Sequence, residues 1–352
     1  MNPARSHSIK TVLLVLIGLC TLAISLVSLN TGTVELTTSE TTSVLAYRLG
    51  LSSEKPGILA DTVVWDLRLP RIVLALAVGA GISLAGAAMQ GLFRNPLADP
   101  GIIGVSSGAA TGGVIAILFG GLFAASWPGF TQYALPICAM AGGVGTTFLI
   151  YRLSNIGGRT HIATMLLTGI AVNAISGALI GFVVTRFADD TQIRTITFWT
   201  LGSLAGANWH SALLVSGLTL LGAIWVLSQW RSLNAFLLGE AEAFQLGISV
   251  QRVKSGLIFV TAAMVGITVA ACGIIGFVGL VVPHMIRLSL GPDHRWLLPG
   301  SVILGGAVMV LADLGARTLV APAELQIGIL TALIGGPFFL GLLLSAKRKL
   351  SI

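Results

Sequence analysis

In "PHMIRLSLGPDHR", His284 and His294 stand ten residues apart, and imidazole is the commonest protein ligand for transition metals, iron included. A metal site needs further donors, and the chain offers few. Its three cysteines, Cys20, Cys138 and Cys272, lie far apart with no CxxC spacing, so they read as small apolar core residues and not as a metal or disulfide set. HExxH is absent. Only five lysines occur, and the one Lys-Ser pair, Lys254–Ser255, has no glycine before it, so the phosphate loop that cradles ATP is missing. No catalytic residue and no stable metal site is expected. Three arginines also stand out, Arg68 and Arg71 in "RLPR" and Arg317 far along the chain, and by themselves they read as ordinary interfacial anchors.

What must position these groups follows from composition. Charged residues make up 9% of the 352 and hydrophobic ones 55%, against about 25% charged in soluble domains. The chain is therefore expected to be a polytopic membrane protein. Ten apolar runs approach the roughly 20 residues that cross a bilayer, at 11–29, 72–92, 103–125, 133–151, 162–184, 210–228, 256–272, 274–290, 299–315 and 328–346. They lack the alternation of barrel strands, so the expected fold class is all-α, one ten-helix membrane domain over residues 1–352. The first run follows Arg5 and Lys10 but exceeds the roughly 7–15 apolar residues of a signal peptide and lacks a small-x-small site, so it reads as a retained helix.

With the amino terminus inside, thirteen of the twenty Lys and Arg residues fall on cytoplasmic segments, which places both termini in the cytoplasm. The same clustering accounts for the net charge of +7 and argues against a nucleic-acid partner, since no basic stripe tracks phosphates. Asp313 is the only acidic residue inside a run. Ion-coupled carriers usually need intramembrane carboxylates, so energy for any transport is expected to enter from a partner.

Glycine supplies 44 residues, well above the roughly 7% average, and small residues let helices approach closely in lipid. Gly104, Gly108 and Gly112 share one helical face and read as a helix–helix seam, a path lining being the alternative. "FRNPLADPGIIG", Phe93 to Gly104, separates two runs: Pro96 and Pro100 cannot continue a helix and Gly101 permits a turn, so the second run must end and the third re-enter. Asn95 can be a simple cap of that turn. The long interruption at 229–255 is centred on "GEAEAFQLG", where Glu240 and Glu242 precede Phe244 and Leu246. It reads as a short helix with acid at its positive end, in a solvated connector.

"LRLPRIVLALAVGAGISLAGAAMQGLFRNPLADPGIIGVSSGAA", "LLGEAEAFQLGISVQRVK", "GFVGLVVPHMIRLSLGPDHRWLLPG" and "LADLGARTLVAPAELQIGILTALIGGPFFL" together resemble the permease subunits of binding-protein-dependent ABC importers for iron-siderophore complexes, haem and cobalamin. The likeness runs in order from about Leu67 to Leu344 and is greatest to haem permeases. It implies a bacterial inner-membrane homodimer of ten-helix subunits in lipid, with spans two to five echoed by seven to ten. It also implies two cytoplasmic ATPase subunits that use the ATP, and a periplasmic binding protein that delivers cargo.

The resemblance carries residue roles. Arg68, Arg71 and Arg317 are implied to receive glutamates of the binding protein at an exposed docking surface. Asn95 and Leu97, with His161, Ile162, Ala163 and Thr164, match a cytoplasmic gate; cobalamin importers carry small hydroxylated residues where this chain has Ile162 and Ala163. Gly239, Glu240, Ala241, Glu242, Ala243 and Gly247 match the helix that couples to the ATPase, with Ala241 and Ala243 small enough for close approach. His284 and His294 lie in a motif that permeases for different cargo share, so a structural role is expected and transient cargo contact is the alternative. The expected function is permease of an ATP-driven metal-chelate importer, haem first, cobalamin or a ferric siderophore next. An ion-coupled secondary carrier is the rival from another class.

Overall fold

The computed structural model describes residues 3–126 and 131–350. Its helices in order are α1 (Pro3–Asn30), α2 (Thr38–Arg48), α3 (Ile58–Asp61), α4 (Leu69–Phe93), α5 (Val105–Ser126), α6 (Thr131–Ser154), α7 (Ile162–Phe187), α8 (Asp190–Thr200), α9 (Trp209–Ser228), α10 (Trp230–Leu238), α11 (Glu240–Gln245), α12 (Val250–Cys272), α13 (Val278–Leu290), α14 (His294–Thr318) and α15 (Ile327–Leu350). Each expected apolar run falls on one of them. Among the described residues seven helices are long and apolar enough to cross a bilayer, while α5, α13 and α15 carry shorter apolar stretches of 105–121, 278–290 and 327–341. The border expected near 272–274 is a break: α12 stops at Cys272, Gly273 and Phe277 take positive φ, and α13 starts only at Val278.

The chain also forms structure between the runs. A hairpin of β1 (Asn155–Ile156) and β2 (Arg159–Thr160) joins α6 to α7, with Asn155 opposite Thr160. Its two-residue turn, Gly157–Gly158, has positive φ at both positions, the geometry that suits the twist of a tight hairpin. Helices α2, α8 and α9 each begin with a capping box, set by Thr37 and Glu40, Asp189 and Gln192, and Asn208 and Ser211.

At the centre lies α4, which runs unbroken from α3 through a π-helical segment, Thr62–Arg68. The wide turn has a cause in Pro70, which lacks an N–H and whose ring would clash with the carbonyl four residues earlier in a regular helix. Small residues let neighbours close on this helix from several sides. A Cβ at Gly79 would collide with the Gly305 backbone of α14, and one at Gly86 with the Gly279 backbone of α13. Gly104, Gly108 and Gly112 lie against Ile150 and Thr146, Gly142, and Cys138 of α6, so the stripe is a seam between α5 and α6.

Helix α4 stops as Pro96 requires. Arg94 takes a left-handed φ of 50°, its N–H reaches Gly91 O at 3.3 Å, and Asn95 N–H reaches Gln90 O at 3.1 Å, which is a Schellman motif with arginine where glycine is usual. Asp99 then accepts from Gly101 N–H at 2.7 Å and starts a 3-10 turn, Pro100–Ile103; Gly104 at φ 80° turns the chain into α5. Burial pushes the Asp99 carboxyl above the usual aspartate range, and the Gly101 N–H opposes that shift.

Candidate functional site

Four places gather the residues that chemistry or resemblance singles out. At the end of α4 remote from the Pro96 turn, Arg71 donates from Nε to Asp313 Oδ1 at 2.8 Å, and its two terminal nitrogens donate to the Glu324 carboxylate at 3.0 Å each. Asp313 also pairs with Arg317 at 3.1 Å, one turn later on α14. Arg317 reaches Ser28 Oγ at 2.7 Å and Thr31 O at 3.2 Å, while Arg68 donates to Leu29 O at 2.9 Å and to Val34 O. Two of the three guanidiniums thus satisfy carbonyls left unpaired around the carboxyl end of α1, where the helix dipole favours positive charge. The set lines a cavity of about 220 Å³ with Glu324 and Val34.

The expectation of an exposed arginine surface is corrected by this geometry. Arg68 and Arg317 are only 5% and 6% exposed, and the Arg71 side chain 11%. Asp313 and Glu324, which complete the cluster, were not among the expected site residues. Asp313 had carried a signal, as the one acid in an apolar run with Arg317 four residues on. Glu324 had none.

On the turn after α4, Asn95 accepts from Leu97 N–H at 2.9 Å, so its side chain caps the turn locally. Leu97 lines a small cleft with Leu280, Val281, Phe338 and His284. His161 occupies the N-cap position of α7 without a side-chain cap bond, and Ile162, Ala163 and Thr164 form the first turn beyond it. Among the described residues no hydrogen bond or ion pair of this chain joins Asn95 or Leu97 to residues 161–164. Asn95 and Leu97 lie in the turn after α4 and His161–Thr164 at the start of α7; α7 is bonded to α5, the helix that follows the turn, through Ser107 Oγ and Asn173 Oδ1 at 2.5 Å.

The two histidines have different surroundings. His284 stands edge-on to Phe338 at 6.2 Å between ring centres, and neither ring nitrogen has a hydrogen-bond partner among the described residues. His294 is 1% exposed, and its ring nitrogen Nδ1 lies 2.8 Å from Asn234 Oδ1, which also accepts the His294 backbone N–H at 2.9 Å. Asn234 Nδ2 donates in turn to Asp293 Oδ1 at 2.7 Å, which fixes the amide orientation and makes Nδ1 the donor. The other ring nitrogen presses on Gly91, where a Cβ would stand 2.5 Å from it. The alternative of cargo contact is therefore corrected for His294, a bolt between α10, α14 and the end of α4.

Between α9 and α12 the interruption at 229–255 is structured. Helix α10 buries Leu233 and Phe236, and α11 follows after Gly239, whose φ of 141° breaks the path. Gly247 at φ 82° ends α11. Glu240 and Glu242 sit in its first turn, Ala241 is exposed, and Phe244 and Leu246 are 72% and 65% exposed. Ala243 has no exposed surface and joins the core of its own chain, which corrects the expectation that it fits a partner's groove. Exposure also corrects Cys20, which faces outward on α1; Cys272 is buried and Cys138 intermediate, all three free.

Comparison with known proteins places this architecture. The model of the FecCD transport family matches residues 19–345. The hemin transport system permease protein HmuU of Yersinia pestis is 45% identical over 291 residues, 82% of this chain and 85% of that protein. The cobalamin import system permease protein BtuC of Halobacterium salinarum is 43% identical over 284 residues, 81% of this chain and 74% of that one. The vitamin B12 import system permease protein BtuC of Escherichia coli O9:H4 is 40% identical over 290 residues, 82% of this chain and 85% of that one. A solved metal-chelate type ABC transporter in an inward-facing conformation superposes with a TM-score of 0.81 at 35% identity, over 95% of this chain and 99% of that one. With apolar spanning helices, a buried arginine cluster and a family match over nearly its whole length, this chain is a multi-pass membrane permease of the FecCD transport family.

Proposed function

We propose that the chain is the permease of an ATP-driven importer that moves a metal chelate, haem first, from periplasm to cytoplasm, across the bacterial inner membrane. The observation that carries the ATP-driven part is α11: a short helix cut off by two positive-φ glycines that holds Phe244 and Leu246 out into solvent. Exposed apolar residues beside acidic ones fit a protein partner better than a solvated connector. That partner is an ATPase subunit, two per homodimer, so that 229–255 is the coupling segment. In this reading ten helices cross, both termini are cytoplasmic, and a periplasmic binding protein docks over Arg68, Arg71 and Arg317. Asn95, Leu97 and His161–Thr164 gate the path, His284 touches passing cargo, and no cofactor stays bound.

Haem leads because the haem-named relative is the more identical of those compared, 45% against 43% and 40%. Cobalamin follows, with Ile162 and Ala163 as the local departure from that group. The secondary-carrier reading weakens further, because Asp313, the one acid in an apolar run, is pinned between two arginines and offers no free proton relay. The deciding experiment reconstitutes the permease with its ATPase subunit and binding protein in liposomes. Haemin is expected to stimulate hydrolysis above cyanocobalamin and a ferric hydroxamate. Uptake that survives without ATP and collapses with an ionophore would overturn the importer reading.

A further inference from the structure

Lys254 lies in the first turns of α12 and is 4% exposed, although its ammonium must be charged or desolvated at a cost unless partnered. It has two partners from different elements. Nζ stands 2.6 Å from Glu240 Oε1 of α11 and donates to Thr160 O of β2 at 3.2 Å. One turn earlier, Gln251 clamps the same strand: Thr160 N–H donates to Oε1 at 3.2 Å, and Nε2 donates to Thr160 Oγ1 at 2.6 Å and Tyr151 Oη at 3.2 Å. Thr160 is the residue directly before His161, and His161 N–H closes the hairpin on Ser154 O at 3.0 Å. The other end of the chain of contacts faces water, since Glu240 is 43% exposed and lines a cleft of about 900 Å³ with Phe244, Arg159 and Gln251.

We infer that Lys254 is a positioning residue that ties the movement of α11 to the hairpin ahead of α7. A push on α11 shifts Glu240, the buried ammonium follows its counter-charge, and the Thr160 carbonyl carries the shift into His161–Thr164. The linkage is stiff because each joint is a charge-assisted or multiple hydrogen bond, and its middle member, the Lys254 side chain, is buried. Among the described residues Glu240 and Thr160 share no hydrogen bond or ion pair except through Lys254. The inference rests on reading α11 as the ATPase contact and 161–164 as a gate.

Two measurements test it. Hydrogen exchange on the permease alone reads the clamp: Lys254→Met is expected to speed exchange of the 155–161 amides about tenfold, the loss of one or two hydrogen bonds. Glu240→Gln, at a half-exposed site where folding is not at risk, is expected to speed it in the same direction, and the double variant no more than Lys254→Met alone. Wild-type exchange in Glu240→Gln overturns the linkage, even if Lys254→Met fails to fold. The second measurement uses spin labels at Ala163→Cys in the two copies of the reconstituted complex, with a non-hydrolysed ATP analogue. The wild-type separation is expected to change on nucleotide binding; with Lys254→Met the ATPase subunit stays bound and hydrolyses ATP, but the change is lost. A full change in Lys254→Met removes the linkage alone. No change in the wild type removes the gate reading and the linkage with it.

Discussion

Asp313 and Glu324 hold the same guanidinium from two sides, and their exposure decides what each does. Asp313 is 1% exposed between Arg71 and Arg317, so Asp313→Asn leaves buried positive charge uncompensated and should destabilise the fold by about 3–5 kcal/mol. Glu324 is 36% exposed, and Glu324→Gln should cost no more than about 1 kcal/mol. It should also free the outer edge of Arg71 and strengthen capture of the binding protein, provided that carboxylates dock there. Thermal unfolding in detergent and binding-protein titration check the two halves; equal unfolding temperatures for both variants would remove the distinction. Charge reversal of Arg68, Arg71 or Arg317 would not isolate docking, since each holds part of the fold together. Sequence marked Asp313 only as the one acid inside an apolar run. It could not show Arg71, 242 residues away, because only the packing of α4 on α14 brings the two together.

At the scale of elements, α11 presents one alanine to solvent and keeps the other. Ala241→Trp should weaken association with the ATPase subunit or uncouple hydrolysis from transport while the permease stays folded, because the overpacking falls on the partner's side. Ala243→Trp should lower the stability of the permease itself, since no exposed surface remains at that position. Co-purification of the ATPase subunit and detergent melting, measured on both variants, separate these effects; wild-type association in Ala241→Trp would remove the coupling assignment. The long apolar runs were legible because a bilayer dictates their length, and the end of α4 because Pro96 and Pro100 forbid a helix. The helices α2, α8 and α10 were not, since short amphipathic segments look like polar connectors until something packs on one face. Nor was the tie between Lys254 and Glu240, which depends on how two glycine breaks fold α11 back on α12.

For the whole molecule, burial divides the helices. The most apolar window of α4 is 83% buried, those of α12 and α14 67% and 61%, and those of α1 and α7 only 11% each. Exposed faces such as Leu167, Ile170 and Phe182 on α7 therefore meet lipid or the second copy of the homodimer proposed above. The unbroken helix from Ile58 to Phe93 has a further consequence. Its 36 residues span about 54 Å at roughly 1.5 Å each, against a hydrocarbon core of about 30 Å. In the orientation proposed above, with Phe93 at the inner boundary, about twenty residues of rise reach Val73, which puts Arg71 and Arg68 just past the outer edge of the oil. The helix is a ruler for membrane thickness. Longer acyl chains would submerge the arginine cluster, and tilt cannot relieve this, since tilting shortens the thickness that a helix spans. ATP hydrolysis and thermal stability in liposomes should therefore peak at one acyl length and fall as the bilayer thickens; a flat response would mean that the cluster does not feel the boundary.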